Sequence, residues 1–321
     1  MSDELAIGID VGGTKIAAGV VDEQGRVLAH RRADTPGTDP GAVLDTIVDV
    51  VEELRREHDV LAIGIGAAGF VDASGSTVLF APHLAWRDEP LRDAVAGRTG
   101  LHVVVENDAN ASGWAEWRFG AVQGEPDVVL VTLGTGIGGA IVIDGKPYRG
   151  RFGLAGEFGH MQVVSDGLPC DCGNRGCWEQ YASGRVLTRR GRAAADAGTA
   201  LGRRLLDAAG GSLQNIHGHH VTEAAREGDE EATGWFADVG GWLGVGLANL
   251  AAALDPGVFV IGGGLSDAGE LLLGPARVSF SRALTGRGYR PEARIVATRL
   301  GPEAGLIGSA DLARLSARSR S

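Results

Sequence analysis

The chain has 321 residues, 44% hydrophobic and 22% charged, with a formal net charge of −11. That length can bury a full core and accommodate two domains, while the acidic balance argues against nucleic acid, an anionic membrane surface or long polyphosphate as the main partner. No apolar run is found to approach the ~20 residues of a bilayer span, and no basic start with an apolar core marks secretion, so a cytoplasmic protein is expected.

Leu5 to Asp10 reads as a short apolar strand that enters Gly12-Gly13-Thr14-Lys15 and resumes as a strand to Asp22. A strand after the glycine turn, where a P-loop requires a helix, makes this a hairpin. Its glycines let backbone N–H groups face a phosphate, and Thr14 and Lys15 add a hydroxyl and a charge; alone, the motif reads as readily as a plain β-hairpin. Residues 40–58 carry a helical apolar period through Val43, Ile47, Val51 and Leu54. A strand over 61–65 opens into the turn Gly66 to Asp72. Another over 102–106 ends in Glu106-Asn107-Asp108, at the carboxyl end of a strand, where α/β proteins place ligand contacts; Asp108 could equally be the N-cap of the next helix. Residues 128–144 then align without gaps on the first hairpin, with Gly134 on Gly12, Gly136 on Thr14 and Asp144 on Asp22.

All three cysteines fall in the next loop. His160, Cys170, Cys172 and Cys177 give the pattern H-x9-C-x-C-x4-C, a closed tetrahedral N/S set suited to structural Zn²⁺. A disulfide reading leaves one thiol over. Glu157 and Glu179 flank the ligands. Residues 182–209 read as one helix, His217, His219 and His220 as a loop before a helix over 221–227, and 232–254 as a long helix. A strand over 258–261 meets Gly262-Gly263-Gly264, and a final helix spans about 303–317.

GEFGHMQV followed by CDCGNRGCWEQYASG, together with END-N-A at 106–111 and LGTGIGGA at 133–140, resembles the signature of the ROK family (repressors, open reading frames and sugar kinases), closest to its glucokinase branch. The resemblance implies a two-domain actin-like sugar-kinase α/β fold with ribonuclease H-like mixed sheets and a zinc-binding loop. Residues 1–107 plus about 303–321 would form the small domain and 108–302 the large one. It implies ATP-dependent phosphorylation of glucose at its 6-hydroxyl, with Asp108 as base and Gly69, Asn107, Glu157, His160 and Glu179 around the sugar. Asp10 would orient Mg²⁺, with Gly12, Gly13, Thr14, Lys15, Thr135 and Gly136 around the phosphates of ATP and Gly263 and Gly264 beside adenosine. His160 and the three cysteines match the family's zinc ligands, and a homo-oligomer, dimer or tetramer, is expected. Where the family usually has proline, this chain has Ala68, which leaves that turn less rigid. The alternatives are a kinase for N-acetylmannosamine, N-acetylglucosamine, mannose or fructose, or a sugar-sensing regulator without turnover.

Overall fold

The computed structural model describes residues 4–37 and 39–320. The chain divides into two compact units, Met1–Val129 with Ala140–Gly156 and Thr298–Ser321, and Leu130–Gly139 with Glu157–Ala297.

In the first unit, β1 (Ala6–Val11) and β2 (Lys15–Val21) form an antiparallel hairpin to which β3 (Val27–Asp34) adds. Helix α1 (Pro40–Arg55) starts on Pro40 with Asp39 as its cap, whose Oδ1 accepts from Gly41 N at 2.9 Å, and buries Val43, Ile47, Val51 and Leu54. The chain crosses over into β4 (Ala62–Ala67), parallel to β1. A small sheet of β5 (Phe70–Val71), β6 (Val78–Phe80) and β7 (Arg87–Glu89), then α2 (Leu91–Thr99), lead to β8 (His102–Asn107), which pairs parallel with β4 and runs directly into α3 (Asp108–Arg118). The main sheet has the order β3-β2-β1-β4-β8. Its central strands are continuous apolar runs because helices cover both faces.

The C-terminal helix, Ala304–Arg318, closes this unit at unusually short range. A Cβ on Gly8 would lie 1.9 Å from the Leu306 carbonyl oxygen, and one on Gly64 would lie 1.8 Å from that of Ser309. No side chain fits at either strand position, so helix backbone rests on sheet backbone. The same helix carries a buried polar knot: Asp311 accepts from Trp114 Nε1 at 2.8 Å, Arg118 Nε at 3.1 Å and Arg314 Nη2 at 2.8 Å.

A second five-stranded sheet has the order β11-β10-β9-β12-β13, built from β9 (Val128–Leu133), β10 (Ile137–Ile143), β11 (Lys146–Pro147), β12 (Val258–Gly262) and β13 (Arg294–Ala297). It repeats the first sheet's layout, as the aligned glycine hairpins anticipate. After the short α4 (Glu179–Ala182), the single helix expected over 182–209 is two: α5 (Gly184–Asp196) and α6 (Ala200–Ala208). The chain breaks at Gly198, with φ of 65°, and restarts where Thr199 Oγ1 caps Gly202 N at 3.0 Å. Next come α7 (Gly218–Arg226), α8 (Glu230–Leu254) and, after β12, α9 (Glu270–Ala283). Helix α8 has the length and apolar composition of a membrane span, which a search for unbroken apolar runs overlooks, because polar residues interrupt its sequence but not its mean. Half of that stretch is buried within the protein. A Cβ on its Gly246 would fall 2.0 Å from the Trp178 ring, and one on Gly244 would fall 2.4 Å from the Ala276 carbonyl oxygen.

Replacing Asp311 strands the buried Arg314 guanidinium and the Trp114 N–H. Asp311→Ala is expected to cost roughly 3–5 kcal/mol of stability in urea unfolding, and a loss under about 1 kcal/mol would show that the knot is not an anchor.

Candidate active site

Within the first unit, the carboxyl ends of β1, β4 and β8 converge. Asn107 is the N-cap of α3: its Oδ1 accepts from Asn110 N at 3.0 Å while its Nδ2 donates to the Gly69 carbonyl at 3.1 Å. Asp108 therefore takes the first helical position rather than the cap. Its Oδ1 accepts from Ala109 N at 2.9 Å. Asp10 lies beside the start of the C-terminal helix, where a Cβ on Gly305 would come 3.5 Å from Asp10 Cγ and 3.4 Å from Ser112 Oγ. Both residues are half-buried as a whole, with their carboxyl groups sunk among protein atoms. Burial, and then the charge of Asp108, push the Asp10 carboxyl up to about 6; burial also raises Asp108. At the first hairpin, Gly12 N donates to Lys15 O at 3.0 Å, Thr35 Oγ1 donates to Gly12 O at 2.9 Å, and Thr14 and Lys15 are exposed.

In the second unit, the second hairpin and the cysteine loop are one construction. Gly134 N donates to Gly136 O at 3.0 Å and leaves Thr135 exposed at the tip. A Cβ on Gly136 would lie 2.5 Å from Glu179 Oε2, and one on Gly159 would lie 2.4 Å from the Ile137 carbonyl oxygen. The hairpin's glycine thus makes room for a carboxylate of the loop. Glu157 and His160 bracket a short 3₁₀ turn, Phe158–His160. The ligand atoms of His160, Cys170, Cys172 and Cys177 all lie within 4.8 Å of one another, the one such metal-capable group among the described residues. Cys170 Sγ is 3.7 Å from His160 Nδ1, and Cys172 Sγ is 3.7 Å from Cys177 Sγ. Four ligands about 2.3 Å from a common centre would stand roughly 3.8 Å apart, so the donors fit a tetrahedral zinc ion. Burial, then the neighbouring thiols, push the Cys177 thiol up to about 12, so this sulfur keeps its proton unless a cation stabilises the thiolate.

A cavity of about 880 Å³ opens in the second unit, lined by Thr135, Gly184, Thr188, His217 and Gly264 among others. It brings the second hairpin together with the glycine turn after β12. His219 and His220 also line it. The histidines do not precede the helix as a loop: His217 caps α7, and the other two sit in its first turn. Glycine density at 134–136 and 262–264 foretold the cavity's backbone edges, whereas nothing in the sequence tied the histidines to it.

The ROK family profile matches residues 6–315 of the chain. The glucokinase of Streptomyces coelicolor is 51% identical over 310 residues, covering 97% of this chain and 98% of that one. The structure of a ROK family glucokinase from Streptomyces griseus in complex with glucose and AMPPNP is similar with a TM-score of 0.88 at 55% identity, covering 97% and 99% of the two chains. The ROK hexokinase of Thermus thermophilus gives 0.80 at 33% identity, covering 98% and 99%.

The raised Asp10 carboxyl carries a signed stability prediction. A carboxyl whose pKa is higher in the folded state contributes stability that is full below its unfolded value of 3.8 and lost as pH rises through about 6. Asp10→Asn, melted without Mg²⁺ or nucleotide, should therefore be roughly 1–3 kcal/mol more stable than the parent near about pH 8 and equal to it near about pH 4. A less stable variant at the higher pH would contradict this.

Proposed function

The chain belongs to the ROK family, whose α/β fold of mixed sheets it shares, and from that premise we propose that it is a glucokinase, transferring the γ-phosphoryl group of ATP to the 6-hydroxyl of glucose. The observation that carries this reading is the Asn107–Asp108 turn, where a buried carboxylate of raised pKa stands at the first turn of a helix, next to a capped and immobilised asparagine. A desolvated carboxylate suits the acceptance of a proton from a hydroxyl. As the 6-oxygen attacks the γ-phosphorus, the bond to the β–γ bridging oxygen breaks, ADP leaves with that electron pair, and the hydroxyl proton passes to Asp108. Positioning supplies most of the acceleration in such transfers. Asn107, the Gly69 turn, Glu157, His160 and Glu179 would bind the remaining hydroxyls, and a missing or inverted hydroxyl would leave those buried polar groups unpaired.

Thr14, Lys15, Thr135 and Gly136 would hold the phosphates, with Gly12 and Gly13 keeping the turn free of side chains and the Gly13 N–H as a donor, and Gly263 and Gly264 the adenosine beside the 880 Å³ cavity. Asp10, raised by burial and by the charge of Asp108, fits a dication, and Mg²⁺ bound there would neutralise the phosphate oxygens. Zinc bound by His160 Nδ1 and the three thiolates would be structural, since four protein ligands leave no open position. That assignment leaves His160 Nε2 for a sugar hydroxyl. A thiolate-rich site suits a reducing compartment, and we place the enzyme in the cytoplasm. The exposed Tyr148, Phe152 and Leu154 offer apolar surface that a homo-oligomer would bury.

Two measurements test this. A coupled assay of ADP release over a hexose panel should show glucose as the preferred acceptor. Asp108→Asn should lose about 10²–10⁴-fold in kcat while still binding glucose by calorimetry; a variant within a few-fold of the parent would remove Asp108 from the base role. Preference for another hexose would change the sugar and leave the mechanism in place. In the second, purified protein should contain about one zinc per chain, and its removal by a chelator should lower both the melting temperature and the glucose affinity. Metal-free protein that binds glucose normally would disconnect the cluster from the sugar site.

A further inference from the structure

The proposed mechanism makes no use of Glu106, yet this carboxylate is among the few buried charges of the first unit. It is the penultimate residue of β8, just before Asn107, with its side chain only 6% exposed. Oε1 accepts from the Asn107 backbone N–H at 2.9 Å and from Asn110 Nδ2 at 3.1 Å. Oε2 lies 3.0 Å from Arg149 Nε, an ionic contact whose N–H is not aligned for a hydrogen bond. The guanidinium's other two arms reach the turn after β5: Nη1 donates to the Ala73 carbonyl at 3.1 Å and Nη2 to that of Asp72 at 3.0 Å. Asn107 Nδ2 holds the Gly69 carbonyl from the other side. The turn over 69–73 is thus tied to the Asn107–Asp108 turn at both ends.

Burying a carboxylate costs several kcal/mol unless charge and hydrogen bonds compensate. Burial raises the Glu106 pKa, while Arg149 first, then Asn107 N–H and Asn110, pull it back. A pair whose only task was to stabilise would be replaceable by apolar side chains of similar size. This pair instead spends its donors and acceptors on the two backbone segments that carry Asn107, Asp108 and Gly69. Arginine is the side chain whose rigid fork reaches three acceptors in different directions; lysine could satisfy only part of the set.

We propose that the Glu106–Arg149 pair is a positioning device for phosphoryl transfer: Glu106 fixes the peptide of Asn107 and so the direction of the Asp108 carboxylate, while Arg149 holds the 69–73 turn against which the sugar rests. The inference builds on the glucokinase reading. Neither residue touches a reacting atom. Their effect is transmitted through backbone geometry, where a displacement of about 1 Å can cost on the order of 10²-fold in rate.

The experiment compares the parent with Arg149→Lys, Arg149→Met and the double variant Glu106→Gln/Arg149→Met, at a temperature below each melting transition. Arg149→Met is expected to lose on the order of 10²-fold in kcat, to bind glucose more weakly by calorimetry, and to keep the KM for Mg·ATP within about twofold. Arg149→Lys should fall between it and the parent. The double variant should recover part of the loss, because glutamine still accepts from Asn107 N–H and leaves no unpaired buried charge; that non-additivity is what a merely stabilising residue would not produce. A folded Arg149→Met with parental kcat and glucose affinity would overturn the proposal, as would a double variant no better than Arg149→Met. If Arg149→Met does not fold, Arg149→Lys and the double variant decide by the same readouts. If the parent binds glucose without turnover, the kinase reading falls, and the pair is still judged by whether Arg149→Met weakens glucose binding.

Discussion

The first unit depends on a steric condition: helix backbone must lie against sheet backbone with nothing between them. Gly8 on β1 and Gly64 on β4 admit the C-terminal helix so closely that any Cβ would overlap the carbonyl oxygens of Leu306 or Ser309. Interiors are close-packed and transmit such contacts with little slack. One result is that the start of this helix lies next to Asp10 at the end of β1. Water is displaced from around Asp10 and Asp108, and the rise in their pKa values follows from that exclusion. The same crowding raises the cost of ionising both groups.

The two units fix their ligand-facing loops by different means. In the first, the Asn107–Asp108 turn is held by hydrogen bonds that radiate from buried side chains: the cap from Asn107, the acceptor oxygens of Glu106, the fork of Arg149. In the second, the segment from the 3₁₀ turn to the start of α4 carries Glu157, His160 and Glu179, and the one metal-capable cluster among the described residues lies along it. Glu179 then lies against Gly136 at the tip of the glycine hairpin. Hydrogen bonding suits a turn already bracketed by a strand and a helix; a metal, once bound, would suit a segment with little regular structure of its own.

Features confined to one stretch of sequence were legible before any fold was known. The glycine hairpins, the Glu106-Asn107-Asp108 turn and the cysteine cluster each lie within a short segment; residue type and spacing pointed to a metal at the cysteines, while the phosphate, sugar and base roles came from the family resemblance. Features made by remote pairs were not. Trp114 and Asp311 are 197 positions apart, and no periodicity links Arg149 to Glu106. The break between α5 and α6 was hidden because an Ala- and Arg-rich composition favours helix on both sides, while Gly198 and Thr199 look unremarkable among so many glycines. Asp108 was ambiguous between cap and site until Asn107 proved to be the cap. The histidines of α7 were invisible as cavity residues because the cavity is assembled from α5, α6, α7 and the turn after β12.

The C-terminal helix also dictates an order of events during synthesis. Strands β1 and β4 leave the ribosome early, but the surface that covers Gly8 and Gly64 is made last, from residues 304–318. Until then the nascent sheet exposes apolar edges and the Trp114 N–H waits for Asp311. The intervening stretch, 157–297, is complete before that helix exists and can fold first. Closure across some 300 positions is entropically expensive yet grows only logarithmically with length, so the wait is tolerable. A chain lacking residues 304–318 would have its cysteine loop and an open first sheet, a species suited to chaperones and proteases rather than to work.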